Sequence, residues 1–137
     1  MEEAGGAIMR VFWSDREGAD ETPLLAAARA QLAAYFDGRL KRFDLPLAPA
    51  ADAFQAAVRA AMLAIPYGET RSYGEIARAL GTYGQPVGAA CGANPLPVIV
   101  PCHRVLSATG LGGYSGRGGV ETKIALLKLE GGYRLLL

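Results

Sequence analysis

Asn94-Pro95-Leu96-Pro97-Val98-Ile99-Val100-Pro101-Cys102-His103-Arg104-Val105 is the stretch on which the reading of this chain turns. Leu96 to Val100 is fully apolar and β-prone, so it predicts a short buried strand. That strand delivers a cysteine, then the chain's single histidine. A thiol at its ordinary pKa is only a small fraction thiolate at neutral pH. An imidazole that takes the proton makes the nucleophile, and a carboxylate orients the imidazole. Neighbours on a strand point to opposite sides, which favours a bridging water between Cys102 and His103. The pair alone leaves the plainer reading open, a small buried cysteine beside a structural histidine. One histidine and two cysteines do not form a usual zinc set.

Upstream, Ser72-x-x-Glu75 is a capping box that opens a short helix with Ile76 and Leu80 inward, closed by Gly81. A turn through Tyr83-Gly84 follows. Pro86 suits the first position of a second helix that runs to about Ala93. Asn94-Pro95 is its stop, with Asn94 able to take the left-handed conformation. Two short helices joined by a glycine-containing turn outline a helix-turn-helix, and equally an ordinary helical hairpin. Cys91 falls inside the second helix, where it packs. Asp52-x-x-Gln55 is another capping box, opening a helix with Phe54, Val58 and Met62 at spacings of four. Pro66-Tyr67-Gly68 stops that helix.

Downstream, Ser107 to Gly119 is a glycine-rich loop containing Tyr114 and Ser115. Thr122 to Leu129 is helical, with Ile124, Leu126 and Leu127 apolar, and Glu130 lies at its end. Near the start of the chain, Ala7 to Trp13 predicts a strand. Thr22 and Pro23 open a helix striped by Leu24, Ala28, Leu32 and Phe36 and ended by Gly38. Arg39 to Leu47 predicts a second strand, and Pro46 and Pro49 mark a linker.

The 137 residues suit one domain or one and a half small ones, and 51% hydrophobic with 20% charged residues describes a soluble globular chain. The net charge of +1 does not announce a nucleic-acid partner. The halves differ, with seven Lys and Arg against nine Asp and Glu up to Pro66, and seven against four beyond it. A mildly basic C-terminal half is compatible with phosphates but weak evidence for them. Cys91 and Cys102 make no disulfide framework. No signal peptide and no membrane-length apolar run are visible, so a reducing cytoplasm is the expected compartment.

The Asn94–Val105 stretch resembles the active-site segment of the O6-alkylguanine-DNA alkyltransferases, the methylated-DNA–protein-cysteine methyltransferases. Further segments resemble the family in the same order. They are Phe54-Gln55-x-x-Val58, Ile65-Pro66-Tyr67-Gly68-Glu69-Thr70-x-Ser72-Tyr73-Gly74-Glu75-Ile76-Ala77, Gly113-Tyr114-Ser115-Gly116 and Lys123-x-x-Leu126-Leu127-x-x-Glu130-Gly131. The resemblance runs from about Ala51 to the C-terminus.

The resemblance implies an α/β fold class. A truncated α/β region over 1–49, short strands plus one helix, precedes a mostly α, winged-helix-like alkyltransfer domain over 50–137. Its helix-turn-helix spans about 72–94. The implied partner is double-stranded DNA bearing alkylated guanine, bound through the minor groove with the damaged nucleotide flipped into a pocket. The implied reaction is a single, irreversible alkyl transfer to Cys102, with neither cofactor nor metal, by a monomer in the DNA-associated cytoplasm. His103 acts as base through a water, oriented by Glu130. Asn94 is the hinge between recognition helix and active-site segment, and Tyr73 helps rotate the nucleotide and donates a proton to the departing guanine. Tyr114, Ser115 and backbone groups near Val105 line the pocket. Gln85, Ala89 and Gly92 on the recognition helix, with Arg104 and Lys123, complete the expected DNA and lesion contacts.

The chain departs from the family at four places. Gln85 stands where the family usually has an arginine that fills the gap left by the flipped base, and Pro86 follows it. Arg59 replaces a frequent aromatic residue, either as a surface adjustment or as a phosphate contact. The loop at Arg117-Gly118-Gly119 is longer, and the N-terminal region is shorter than a full sheet domain. Two competing readings remain. One is an alkyltransferase-like protein that binds lesions without repairing them, although such proteins usually replace the cysteine. The other is a thiol hydrolase built on Cys102, His103 and Glu130. The sequence leaves the lesion open between O6-alkylguanine and O4-alkylthymine, and the alkyl size with it.

Overall fold

The structure is a computed structural model that describes residues 1–11, 22–107, 110–112 and 119–131. Strands β1 (Glu2–Ala4) and β2 (Ala7–Arg10) form an antiparallel hairpin. Gly5 and Gly6 turn it with φ of 58° and 78°. Two successive positive φ values are what a two-residue hairpin turn needs, and glycine meets them without strain. The strand expected from Ala7 thus forms over Ala7–Arg10, and β1 joins it across a turn that the Gly-Gly pair signals.

The second strand expected over Arg39–Leu47 does not form. Only Leu47 bridges, in parallel, to Ile8. Pro46 has no N–H to donate, so a ladder through it is interrupted. The backbone of Asp44 is instead satisfied by the Gln31 side chain, which donates to its carbonyl and accepts from its N–H, both at 2.9 Å.

Helix α1 (Pro23–Phe36) starts as expected, with the Thr22 hydroxyl accepting from Leu25 N and Pro23 in its first turn. Its buried residues are Ala28 and Tyr35, while Phe36 is 49% exposed. Repeated spacings of four advance the stripe by about 40° each, so by Phe36 it has rotated off the core. The seven-residue step from Ala28 to Tyr35 nearly closes two turns and stays on it.

Helix α2 (Ala53–Leu63) buries Val58 and Met62 and leaves Phe54 at 37% exposure. The Asp52 half of its capping box forms. Gln55 turns away to donate to the Ala90 carbonyl, 2.8 Å away. Arg59 donates to the Ala48 carbonyl at 2.7 Å, holding the preceding segment against α2.

Helix α3 (Tyr73–Leu80) carries the complete Ser72/Glu75 capping box and ends at Gly81 with φ of 70°. Helix α4 (Gly84–Gly92) follows after a short turn and packs on both α3 and α2. It begins two residues before Pro86, which sits inside the first turn, where helical N–H groups have no intrahelical acceptor anyway. Ala93 caps α4 in a right-handed conformation, and Asn94 is not left-handed. The one positive φ outside glycine among the described residues is at Val98, at 73°.

The strand expected over Leu96–Val100 is a compact, buried loop. Val100 N donates back to Leu96 O, and Cys102 N to Val100 O, both at 2.8 Å. Pro97 and Pro101 remove two of the donors a ladder would use. The burial is as the apolar run predicts, because Leu96 to Val100 are all buried, but the conformation is not extended. A short 3-10 turn (Cys102–Arg104) comes next, followed by β4 (Val105–Leu106). The latter pairs in parallel with β3 (Arg71–Ser72), directly before α3. Helix α5 (Val120–Glu130) closes the described chain.

One core cluster joins Ile8 and Ala28 to Val58, Met62, Ile76, Val87, Cys91, Leu96, Val100 and Cys102. The N-terminal hairpin and α1 therefore share their core with the helices that follow. A second cluster gathers Tyr35, Val98 and Leu126. Among the described residues, no helix is long and apolar enough to cross a membrane.

Candidate active site

Cys102 sits at the start of the 3-10 turn with 7% exposure, and Asn94 holds the loop that leads to it. The Asn94 amide donates to Val100 O at 3.0 Å and accepts from Leu96 N at 3.1 Å. This small clamp ties the end of α4 to the turn carrying the thiol. Burial pushes the Cys102 thiol up, and a hydrogen bond from Asn94 and the charge of Lys123 pull it partly back. Such a thiol needs a base. Cys91, also buried, is pushed up to about 12 by desolvation and by Cys102.

His103 is fully buried, and its Nε2 lies 2.7 Å from Glu130 Oε2. Burial lowers its pKa against the raising effect of Glu130, so the neutral ring is favoured. A neutral imidazole facing a carboxylate through Nε2 carries its proton there and leaves Nδ1 as an acceptor. Among the described residues His103 Nδ1 has no hydrogen-bond partner, which is unusual for a buried polar atom.

Glu130 is the hub. Arg104 grips it with Nε on Oε1 at 2.8 Å and Nη2 on Oε2 at 3.1 Å, and Tyr35 Oη donates to Oε2. Burial pushes the Glu130 carboxyl up, but donors from His103, Arg104 and Tyr35 outweigh it and hold the group at about 2. The Cα of Gly68 lies so close that an added Cβ would stand 3.0 Å from Glu130 O. Gly68 also has φ of 84°, so that turn needs glycine on two counts.

The structure places Arg104 and Lys123 differently from the DNA-facing positions expected. Arg104 is 7% exposed, and its remaining Nη1 donates to Ile65 O at 2.7 Å. Its guanidinium lies 5.7 Å from the Tyr67 ring centroid. Lys123 is fully buried, and Nζ donates to Val105 O at 2.6 Å. Burial lowers its pKa to about 8 against the raising effect of the two cysteines. Both cations are used inside the fold, because a buried charge needs internal partners. Val105 is itself buried; its N–H donates to Cys102 O and its carbonyl accepts from Lys123.

Tyr73 opens α3, half-buried, and burial followed by the two cysteine charges raises its pKa. Its ring lies 5.9 Å from Lys123 Nζ, and its hydroxyl end abuts Gly112, where a Cβ would come within 3.1 Å. Tyr73, Cys102, Cys91 and Lys123 thus share one neighbourhood. Tyr114 and Ser115 lie outside the described residues.

On α4, Gln85, Ala89 and Gly92 share an exposed face, opposite the buried Val87, Ala90 and Cys91. An added Cβ at Gly88 or Gly92 would meet nothing within 4 Å, so internal packing does not require small residues there. Tyr83, at the N-cap of α4, is 80% exposed. The sequence marks Gly68 only as part of a helix stop and gives no role to Tyr35 or Gly112. A glycine pair at 112–113 was a visible signal, whereas Tyr35 resembles any helix aromatic.

Residues 53–132 match the family model of the 6-O-methylguanine DNA methyltransferase DNA-binding domain. The chain belongs to this family. A methylated-DNA–protein-cysteine methyltransferase of Methanosarcina acetivorans is 52% identical over 107 residues, 76% of this chain and 67% of that protein. Its namesake in Mycobacterium tuberculosis is 49% identical over 124 residues, 88% of this chain and 71% of that one. A crystal structure of the M. tuberculosis protein in complex with DNA superposes with a TM-score of 0.82 at 42% identity, covering 96% of this chain and 85% of that chain. In these matches the chain spans from about two thirds to over four fifths of its alkyltransferase relatives. The helix-rich architecture with small sheets matches the alkyltransferase structures. The activity that goes with membership is DNA repair by transfer of an alkyl group from DNA to a protein cysteine.

Proposed function

We propose that Cys102 Sγ is the acceptor of the alkyl group and that O6-alkylguanine, flipped from double-stranded DNA, is its donor. The observation that carries this reading is the orphaned acceptor on His103. A buried imidazole with Nε2 tied to Glu130, and with no partner for Nδ1 among the described residues, is arranged to receive a proton.

In the reaction, the Cys102 proton passes through a water to His103 Nδ1. The thiolate attacks the alkyl carbon, a C–S bond forms, and the C–O6 bond breaks with its electrons going to the guanine. Tyr73 Oη supplies a proton to the leaving base and recovers one from the His103 side. The sum is thiol plus alkylguanine giving thioether plus guanine, with no further reactant. A Cys-His pair does not hydrolyse a thioether, so each molecule acts once.

DNA reaches the site through the exposed small-residue face of α4, which allows a close approach in the minor groove. Gln85 on that face supplies hydrogen-bonding groups to the orphan base without the charge an arginine would bring. Asn94 holds the Cys102 turn relative to that helix, and the Val105 carbonyl retains a lone pair for the base edge. The parallel β3–β4 pair, with α3 packed on β3 and α4, supports reading the alkyltransfer domain as winged-helix-like, and the protein acts as a monomer.

Intact-mass measurement after incubation with O6-methylguanine DNA tests the assignment. One methyl per protein, absent in Cys102→Ala, is the expected result. An unmodified wild-type protein that still binds the DNA would overturn it.

A further inference from the structure

The carboxylate of Glu130 accepts from three residues on two separate segments. His103 and Arg104 come from the turn of the nucleophile. The remaining donor, Tyr35, comes from α1, 95 residues away in sequence. Its ring is fully buried, at 5.5 Å from Phe43 and 6.3 Å from Tyr67 between ring centroids. The hydroxyl lands on Oε2, the same oxygen that His103 Nε2 contacts.

We propose that Tyr35 is a positioning residue for alkyl transfer, acting through Glu130 to keep His103 a neutral, Nε2-protonated ring whose Nδ1 accepts the thiol proton. The proposal rests on the assignment of His103 as the base. It gives the N-terminal helix a part in the chemistry that shape alone would not assign.

A carboxylate offers roughly four acceptor positions. Here Oε1 takes one contact from Arg104, while Oε2 is shared by the second Arg104 contact, His103 and Tyr35. Tyr35 is the only neutral donor among these that carries no role at the thiol. Its hydroxyl spreads the charge of Oε2 without adding a cation beside the imidazole. Burial and Glu130 raise the Tyr35 pKa far above its ordinary value, so it remains a donor wherever the protein is folded. Without that hydroxyl, more of the carboxylate's charge falls on Nε2–H, which favours the imidazolium. An imidazolium has no lone pair for the Cys102 proton.

The other groups around His103 are accounted for. Arg104 and Lys123 oppose its protonation, and Cys102 precedes it in the turn. Tyr67 lies beside Arg104, with Lys41 Nζ 5.6 Å from its ring centroid, and Tyr73 lies beyond Lys123. None of these is altered by removing one hydroxyl.

The test compares wild type, Tyr35→Phe and Phe43→Leu. The last loosens the same aromatic cluster but leaves every donor to Glu130 in place. The first readout is the single-turnover transfer rate against pH with O6-methylguanine DNA. The second is the nitrogen shifts of the imidazole, which are unambiguous because the chain has a single histidine. Tyr35→Phe should move the acid limb of the rate, and the His103 titration, up by about 0.5–1 pH unit, the size of one hydrogen bond. Phe43→Leu should lower the melting temperature and leave both midpoints where they are. Superimposable profiles and shifts in Tyr35→Phe and wild type would overturn the proposal, as would an equal displacement in Phe43→Leu. A wild-type protein that forms no adduct would overturn the alkyl-transfer reading instead, while the imidazole shifts would still decide whether Tyr35 acts on His103.

Discussion

Replacing Glu130 by Gln changes one atom of the buried hub and should be among the costliest single substitutions in the chain. The carboxylate side chain is 1% exposed, and the Arg104 side chain 8%. In Glu130→Gln the guanidinium keeps its bond to Ile65 O but loses its counter-charge in a place water does not reach. Breaking a buried pair by removing one partner costs about 3–5 kcal/mol. The amide also presents N–H groups to a site filled with donors, so at least one contact becomes donor against donor. For a chain of this length the loss corresponds to a fall in melting temperature of about 10–20 °C. Urea melts of wild type, Glu130→Gln and Glu130→Gln/Arg104→Met give the answer directly. The double variant should recover part of the loss, because it removes the stranded charge as well. The reasoning is refuted if Glu130→Gln loses less than about 1 kcal/mol, the worth of an ordinary hydrogen bond. It is also refuted if the double variant is no better than the single one.

The same hub predicts how stability responds to acid. The Glu130 carboxyl is held at about 2 in the folded protein, below its ordinary value, so its contribution is present above the unfolded pKa and is lost as pH falls from about 4.5 toward 2; melts across that range should show it, and a Glu130→Gln protein should lack that part of the slope. Gly68→Ala forces a Cβ to 3.0 Å from Glu130 O at a φ of 84°, so it should destabilise by more than about 1 kcal/mol, whereas Gly88→Ala, with open space, should not. Cys91→Ala should leave the single methyl adduct on Cys102 intact by mass spectrometry, because the Cys91 thiol is pushed up to about 12 and stays protonated.

Local signals in the sequence predicted local structure well. The Ser72/Glu75 box, the Gly81 stop and the Thr22-Pro23 start all specify short-range hydrogen bonds or fixed φ values, and these appear in place. What failed depended on partners that sequence spacing does not identify. The apolar run Leu96–Val100 predicts burial, which the structure shows, but burial is shared by strands and packed loops, and the two prolines decide between them. Asn94 was correctly placed between α4 and the nucleophile. Its signal resembled a left-handed stop, whereas its side chain is what does the joining. Gln55 and Arg59 carried plausible local or external roles, and both instead reach across to backbone carbonyls of other segments.

The same distinction explains the candidate site. The residues contributed by one continuous motif, Cys102 and His103, are found by reading along the chain, and Glu130 follows from the resemblance. The long-range residues are not so found, because their role exists only once distant segments meet. The resemblance implies Arg104 and Lys123 as DNA and lesion contacts, a role that needs both cations accessible. The fold buries both, and burial forces each to find an acceptor inside: Glu130 and Ile65 O for one, Val105 O for the other. The positive charge therefore serves the geometry of the Cys102 turn. In the function proposed above, contact with DNA falls to the α4 face of Gln85, Ala89 and Gly92, which carries no formal charge. On that reading, affinity should depend on close fit along α4 more than on counterion release from Arg104 and Lys123, whose charged groups are bonded inside the fold.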